Sequence, residues 1–157
     1  FLNNLPTKGP AKTIDYKKLY ADSEALLKRV GLNNVDPKAS LGTLSVAEKQ
    51  LVEIAKAVSK NVKILVMDEP TSNLDPRARR QIIDLIRRFS HTTLVATHDM
   101  EMVLDLCDRT IVMKEGRIVA DGNTRHVFGD LALLEECGLE QPCELRMKRA
   151  LKREYAP

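Results

Sequence analysis

Residues 64–75 read ILVMDEPTSNLD, and no other stretch limits the fold as strongly. Four apolar residues run without alternation into two adjacent carboxylates, Asp68 and Glu69. A Pro, two hydroxyls and an Asn follow, and Asp75 closes the turn. An uninterrupted apolar run predicts a strand buried on both faces, as in a parallel sheet. Ionised carboxylates do not belong inside such a strand, so Asp68 and Glu69 mark its end. In open α/β sheets ligands bind at the carboxyl ends of strands. An acid pair there suits a cation and a proton-transfer step. A single Asp ending a strand can equally be a turn cap, but Asp-Glu-Pro-Thr-Ser directly after ILVM shifts the weight to function.

Asp75-Pro76 opens a helix, with Asp as N-cap and Pro at the first helical position. Ile82, Ile83, Ile86 and Phe89 line its inner face. Arg77, Arg79, Arg80, Arg87 and Arg88 line an outer, solvated one. Residues 92–97 (TTLVAT) read as a second buried strand, ended by His98, and Asp99 caps the next helix with Met102, Val103 and Leu106 inward. Strand, helix, strand is a βαβ crossover, predicting parallel strands and a right-handed connection. Asp68, Glu69 and His98 are therefore expected on one sheet edge. A His at a strand end is more often a structural hydrogen-bonder; sharing an edge with two acids raises its weight as a functional group.

Upstream, residues 44–60 (LSVAEKQLVEIAKAVSK) place Ala47, Leu51, Ile54, Ala55 and Val58 on one helical face. Ser45 and Glu48 form the capping box S-x-x-E. A helix start of this kind offers backbone N–H groups and a positive dipole end to a phosphate. Capping boxes are common, so the box alone does not decide the matter. Residues 14–30 read as a helix ended by Gly31, and residues 1–13, with two Pro and two Asn, as a loop. Residues 109–114 and 117–120 form a hairpin across Glu115-Gly116, residues 123–136 a helix, and the rest a weakly ordered helix or docking tail.

Length and composition exclude several classes. The 157 residues suit about one domain, and 43% apolar content can build a core. A net charge of +3 with no Trp argues against nucleic acid as a partner. Cys107, Cys137 and Cys143 lack paired spacing and read as reduced thiols, neither a disulfide frame nor a zinc site. Apolar runs are too short to cross a membrane, and no signal peptide stands out. The first residue is Phe1, which suggests a piece of something longer.

Four segments in order, LSVAEKQ (44–50), ILVMDEP (64–70), SNLD (72–75) and ATHD (96–99), resemble the ATPase subunit of ABC transporters. They match its signature motif, Walker B strand, D-loop and H-switch, and the resemblance covers roughly residues 14–130. It implies an α/β fold: a partial P-loop NTPase core of the ABC type, with parallel strands and flanking helices, preceded by an α-helical signature subdomain. The division expected is 1–13 loop, 14–60 helical subdomain, 61–122 distal half of the core, and 123–157 C-terminal helical tail. Residues 14–72 look most like monosaccharide importers and residues 73–138 like cobalt, nickel and energy-coupling importers. A recombined sequence is one hypothesis this raises.

The resemblance further implies ATP and Mg²⁺ as ligands, with ATP held between two such domains facing head to tail. Asp68 would help hold Mg²⁺. Glu69 would polarise the attacking water as general base, and His98 would contact the γ-phosphate. Ser45, with Val46, Ala47 and Glu48 behind it, would reach the γ-phosphate of the partner's ATP. Asp75 would speak to the opposite subunit. The implied partners are a second ATPase subunit and transmembrane permease subunits. The implied place is cytoplasmic, on the inner face of the cell membrane, and the implied task is to energise import of a sugar or metal ion. The alternatives are a non-transport ABC ATPase and a catalytically incomplete binding module. The short spacing between signature and Walker B speaks against the coiled-coil repair and chromosome types.

The sequence departs from the family pattern twice. No G-x-x-x-x-G-K-[ST] occurs, and its nearest string, Gly9-Pro10-Ala11-Lys12-Thr13, lacks the second Gly and the spacing. The family's first strands, phosphate loop and Gln loop would precede Phe1. The chain is therefore expected to bind ATP poorly alone and not to hydrolyse it, and to leave an apolar sheet edge open. The signature reads Ser-Val-Ala-Glu where two glycines and a Gln are usual. Ala47 limits close backbone approach, and Glu48 adds negative charge beside an anion site.

Overall fold

The computed structural model describes residues 5–60 and 62–154, in two compact units, residues 1–95 and 96–157. The outermost parts of the expected N-terminal loop and C-terminal tail, residues 1–4 and 155–157, lie outside the described residues, as does residue 61 at the expected subdomain boundary.

The first unit opens with a correction. Part of the expected loop is an antiparallel hairpin, β1 (Thr7–Lys8) with β2 (Thr13–Ile14). Gly9 and Lys12 turn it with φ of 70° and 49°, and the Lys12 N–H donates to the Gly9 carbonyl at 3.2 Å. Gly9 to Thr13 is thus a strand-to-strand reversal. A phosphate loop leads from a strand into a helix instead, so this string is not a disguised one. Helix α1 (Tyr16–Arg29) follows, capped by the Asp15 carboxylate on the Lys18 N–H. Gly31, at φ 84°, ends it as expected: its N–H reaches the Lys28 carbonyl and the Leu32 N–H the Leu27 carbonyl, the paired bonds of a Schellman end. A short 3-10 turn (Leu41–Thr43) leads to α2 (Val46–Val58), which buries Leu51, Ile54, Ala55 and Val58 as the periodicity predicts.

Strand β3 (Ile64–Asp68), helix α3 (Pro76–Arg87) and strand β4 (Thr92–Ala96) form the expected crossover, with β3 and β4 paired in parallel. The Thr92 N–H donates to the Lys63 carbonyl where the strands begin. Helix α3 buries Ala78, Ile82, Ile83, Leu85 and Ile86.

The expectation of burial on both faces of β3 is overturned. Leu65 and Met67 are buried, but Ile64 and Val66 are 63% and 65% exposed, and Leu94 of β4 is 57% exposed. The run is apolar on both sides because both sides need cover. Among the described residues only one side receives it. The opening is thus a sheet face and not only an edge.

In the second unit, α4 (Met100–Leu106) is capped by Asp99 on the Met102 N–H and buries Met102, Val103 and Leu104. Strands β5 (Arg109–Lys114) and β6 (Arg117–Asn123) pair antiparallel, with Lys114 opposite Arg117. Glu115 and Gly116, at φ 51° and 74°, make the two-residue turn whose backbone twist suits a hairpin. The single helix expected over residues 123–136 is two: α5 (Thr124–Val127) and α6 (Leu131–Glu136). Asn123 and Asp130 each cap the helix that follows. Gly129-Asp130 ends one helix and starts the other, since Asp at an N-cap competes with continuing the helix. Phe128, 1% exposed, centres a core with Val103, Leu104, Val112, Val127 and Leu134. Helix α7 (Cys143–Glu154) follows, taking the helical of the two forms expected for this tail. Cys107, Cys137 and Cys143 are unbridged. Among the described residues no helix is long and apolar enough to cross a membrane.

Candidate nucleotide site

Two strand ends and two helix starts carry the predicted residues. Asp68 is the last residue of β3, exposed, and Glu69 and the buried Pro70 and Thr71 follow. Glu69 holds φ of 42°, a left-handed backbone that an ordinary side chain adopts at a cost. The residue before a proline is also steered toward extended backbone, so this conformation is imposed by its surroundings. The Ser72 N–H closes the turn onto the Glu69 carbonyl at 3.1 Å, and Asn73 turns left again at φ 59°. Nothing in the sequence pattern announces the strain at Glu69; only the Asp-Glu-Pro order hints that the chain must bend there.

Asp75 caps α3, its Oδ1 accepting from the Arg77 and Ala78 N–H groups at 2.9 and 3.0 Å. Ser45 caps α2 as predicted. The Glu48 carboxylate accepts from both the Ser45 N–H and the Ser45 Oγ–H at 2.8 Å, while the Glu48 N–H donates to Ser45 Oγ at 3.3 Å. Those bonds from the Ser45 backbone N–H and then its hydroxyl hold the Glu48 carboxyl below its ordinary value of 4.5. The consequence is specific: both donors that Ser45 could turn to a phosphate are held by an anion three residues away.

A cavity of about 340 Å³ lies within the first unit, lined by Ser45, Ala47 and Glu48 at the start of α2 and by Asp75 and Arg77 at the start of α3. The structure thus brings four predicted residues together, Ser45, Ala47, Glu48 and Asp75. Val46 is 57% exposed beside them. Asp68 and Glu69 do not line this cavity. Arg77, assigned by its spacing to a solvated face, contributes the cavity's cation; its place directly after the Asp75-Pro76 helix start was the available signal. His98 stands exposed two residues beyond β4, in the second unit.

Mg²⁺ needs few protein ligands, because one or two carboxylates, substrate phosphates and water complete its shell. The described residues contain no group of three or more side chains that would cage a metal alone. An exposed strand-end carboxylate such as Asp68 fits a cation that arrives with a polyphosphate.

Residues 2–72 match the family model described as ABC transporter. An ABC transporter ATP-binding protein of Geobacter sulfurreducens is 48% identical over 120 residues, covering 76% of this chain and 48% of that protein. The chain belongs to the ABC transporter ATP-binding family. A galactose/methyl galactoside import ATP-binding protein, MglA of Escherichia coli, is 37% identical over 123 residues, 76% of this chain and 24% of its own. Among solved structures, MJ1267, an ATP-binding cassette of an ABC transporter, superposes with a TM-score of 0.68 at 26% identity, over 78% of this chain and 51% of that one. CbiO1 of Clostridium perfringens, part of the transporter complex cbiONQ, gives a TM-score of 0.64 at 28% identity, over 94% and 63%.

Sugar-import and cbiONQ members of the ABC family thus both stand among the relatives, and each match runs across both halves of the sequence. The Geobacter match, covering 76% of the chain, includes residues 72 and 73 wherever it begins. One relative spanning that junction gives no support to recombination there. The chain spans about half the length of this relative.

Proposed function

We propose that the chain supplies the Walker B and H-switch elements of one ATP site, and the signature element of the facing site on a second subunit, in an ABC transporter that energises import of a small solute. The observation that carries this reading is the crossover β3–α3–β4, in which Asp68 and Glu69 end one parallel strand and Thr97-His98 follow the other. Strand ends of this kind are where α/β folds of the doubly wound type bind nucleotides. Phosphoryl transfer asks the protein for positioning and charge, with little covalent chemistry.

In this reading the Asp68 carboxylate faces the cation that travels with ATP. Glu69 orients and deprotonates the attacking water, and its left-handed backbone fixes the carboxylate before nucleotide arrives. His98 donates to the γ-phosphate oxygens as charge builds there. Ser45 and the amides at the start of α2 serve the ATP held by a second subunit, and Asp75 meets that subunit across the same cavity. The remaining parts of the proposal are a cytoplasmic position on the inner membrane face, permease subunits as partners, and a sugar or metal ion as cargo; the sugar- and cbiO-type relatives support the last.

The 157 residues contain no phosphate loop, and the one string resembling it is the turn between β1 and β2. The chain alone therefore holds part of a site. Purified chain with saturating MgATP is expected to show no phosphate release above background. Steady turnover that disappears in Glu69→Gln would show a complete site and overturn this division of labour.

A further inference from the structure

We propose that helix α7 is a docking element for anionic phospholipid headgroups. Residues 143–154 (CELRMKRALKRE) contain five Lys and Arg and two Glu. The whole chain has 25 basic and 22 acidic residues. Removing α7 leaves 20 of each, so the full formal charge of +3 resides in this helix.

Among the described residues only its first turn is anchored. The Cys143 N–H donates to Glu101, Glu144 pairs with Arg125 at 3.1 Å, and Leu145 packs against the core around Phe128. From Arg146 to Leu151 every residue is exposed, and Met147 and Leu151, four apart on one face, are 62% and 55% exposed. A 12-residue helix gains little from its own hydrogen bonds in water, so an exposed, charged one of this length fits an element waiting for a surface.

Charge chooses the surface. A second copy of α7 would repel the first. Cytoplasmic loops of membrane proteins are themselves rich in Lys and Arg, so a permease's inner face does not complement this helix. The anionic leaflet beside that permease does: basic clusters on a helix are drawn to its headgroups, and an apolar pair such as Met147 and Leu151 can enter the interface. The transporter reading supplies the setting, but lipid binding by α7 needs no nucleotide.

The test is co-sedimentation of the purified full chain, without nucleotide, with vesicles of phosphatidylcholine alone or with about one-third phosphatidylglycerol, at low and high salt. The bound fraction is expected to rise about tenfold with phosphatidylglycerol and to fall several-fold at high salt. Arg146→Glu with Arg149→Glu should abolish the difference while circular dichroism stays unchanged. Met147→Ala with Leu151→Ala should weaken binding and keep the lipid preference. Equal binding to both vesicles, or binding indifferent to the charge reversal, would assign adhesion to the exposed sheet face and overturn the proposal. So would polyglutamate or single-stranded DNA competing the chain off the vesicles through α7, which would make the partner an acidic polypeptide or a nucleic acid.

Discussion

At the residue scale, the two most informative side chains are Glu48 and Glu69. Glu48 closes the capping box and in doing so occupies the Ser45 donors. Glu48→Gln keeps a cap, since Gln serves the same box, but removes the charge. It is expected to leave the melting temperature within a few degrees and to tighten MgATP-dependent association with an intact family subunit several-fold, measured by sedimentation. The pH dependence has a definite sign. The Glu48 carboxyl is depressed in the folded chain, so its contribution is complete above the ordinary value of 4.5 and fades as pH falls through the lower, folded value. At Glu69 the strain can be measured by itself. Glu69→Gly and Glu69→Ala both lack the carboxylate, but only Gly accepts φ of 42° freely. Thermal or urea unfolding should find the Gly variant more stable than the Ala variant by about 1 kcal/mol; an Ala variant of equal or greater stability would deny the strain.

At the scale of elements, caps, periodicities and the buried faces of the helices were legible, whereas the burial of the strand β3 was not. Ser45, Asp75 and Asp99 each begin a helix where the sequence places them, and Gly31 ends one. These signals are local: a side-chain oxygen and the N–H groups two or three residues on carry the whole effect. Asp75→Ala is accordingly expected to cost about 1 kcal/mol in chemical unfolding, while Arg80→Ala, on the exposed side of α3, stays near zero. The failures were non-local. The Gly9–Thr13 reversal depends on Thr7 and Lys8 finding Ile14 and Thr13 across the turn. The exposure of Ile64 and Val66 depends on what else packs on the sheet, which a strand's own composition cannot state. The break at Gly129-Asp130 is local by contrast: Asp130 caps α6, and the apolar residues on either side mask that signal.

At the scale of the molecule, the four ordered motifs identified the family, while the geometry divides the predicted residues. Ser45, Ala47, Glu48 and Asp75 share a cavity in the first unit, Asp68 and Glu69 end β3 in the same unit, and His98 belongs to the second. No run of sequence could announce that grouping, because it arises from where α2 and α3 begin in space. The exposed apolar face of Ile64, Val66 and Leu94 is the other whole-molecule feature; patches of this kind mark surfaces built to be covered. The central claim is that the signature helix α2 of this chain completes an ATP site whose phosphate loop lies on another subunit. Its most direct test is sedimentation of the chain with an intact ATP-binding subunit of the family that carries a hydrolysis-blocking change at its own Walker B glutamate. The account predicts a complex that forms with MgATP, is absent with ADP, and is lost in Ser45→Arg of this chain. A complex indifferent to nucleotide and to Ser45→Arg would contradict it.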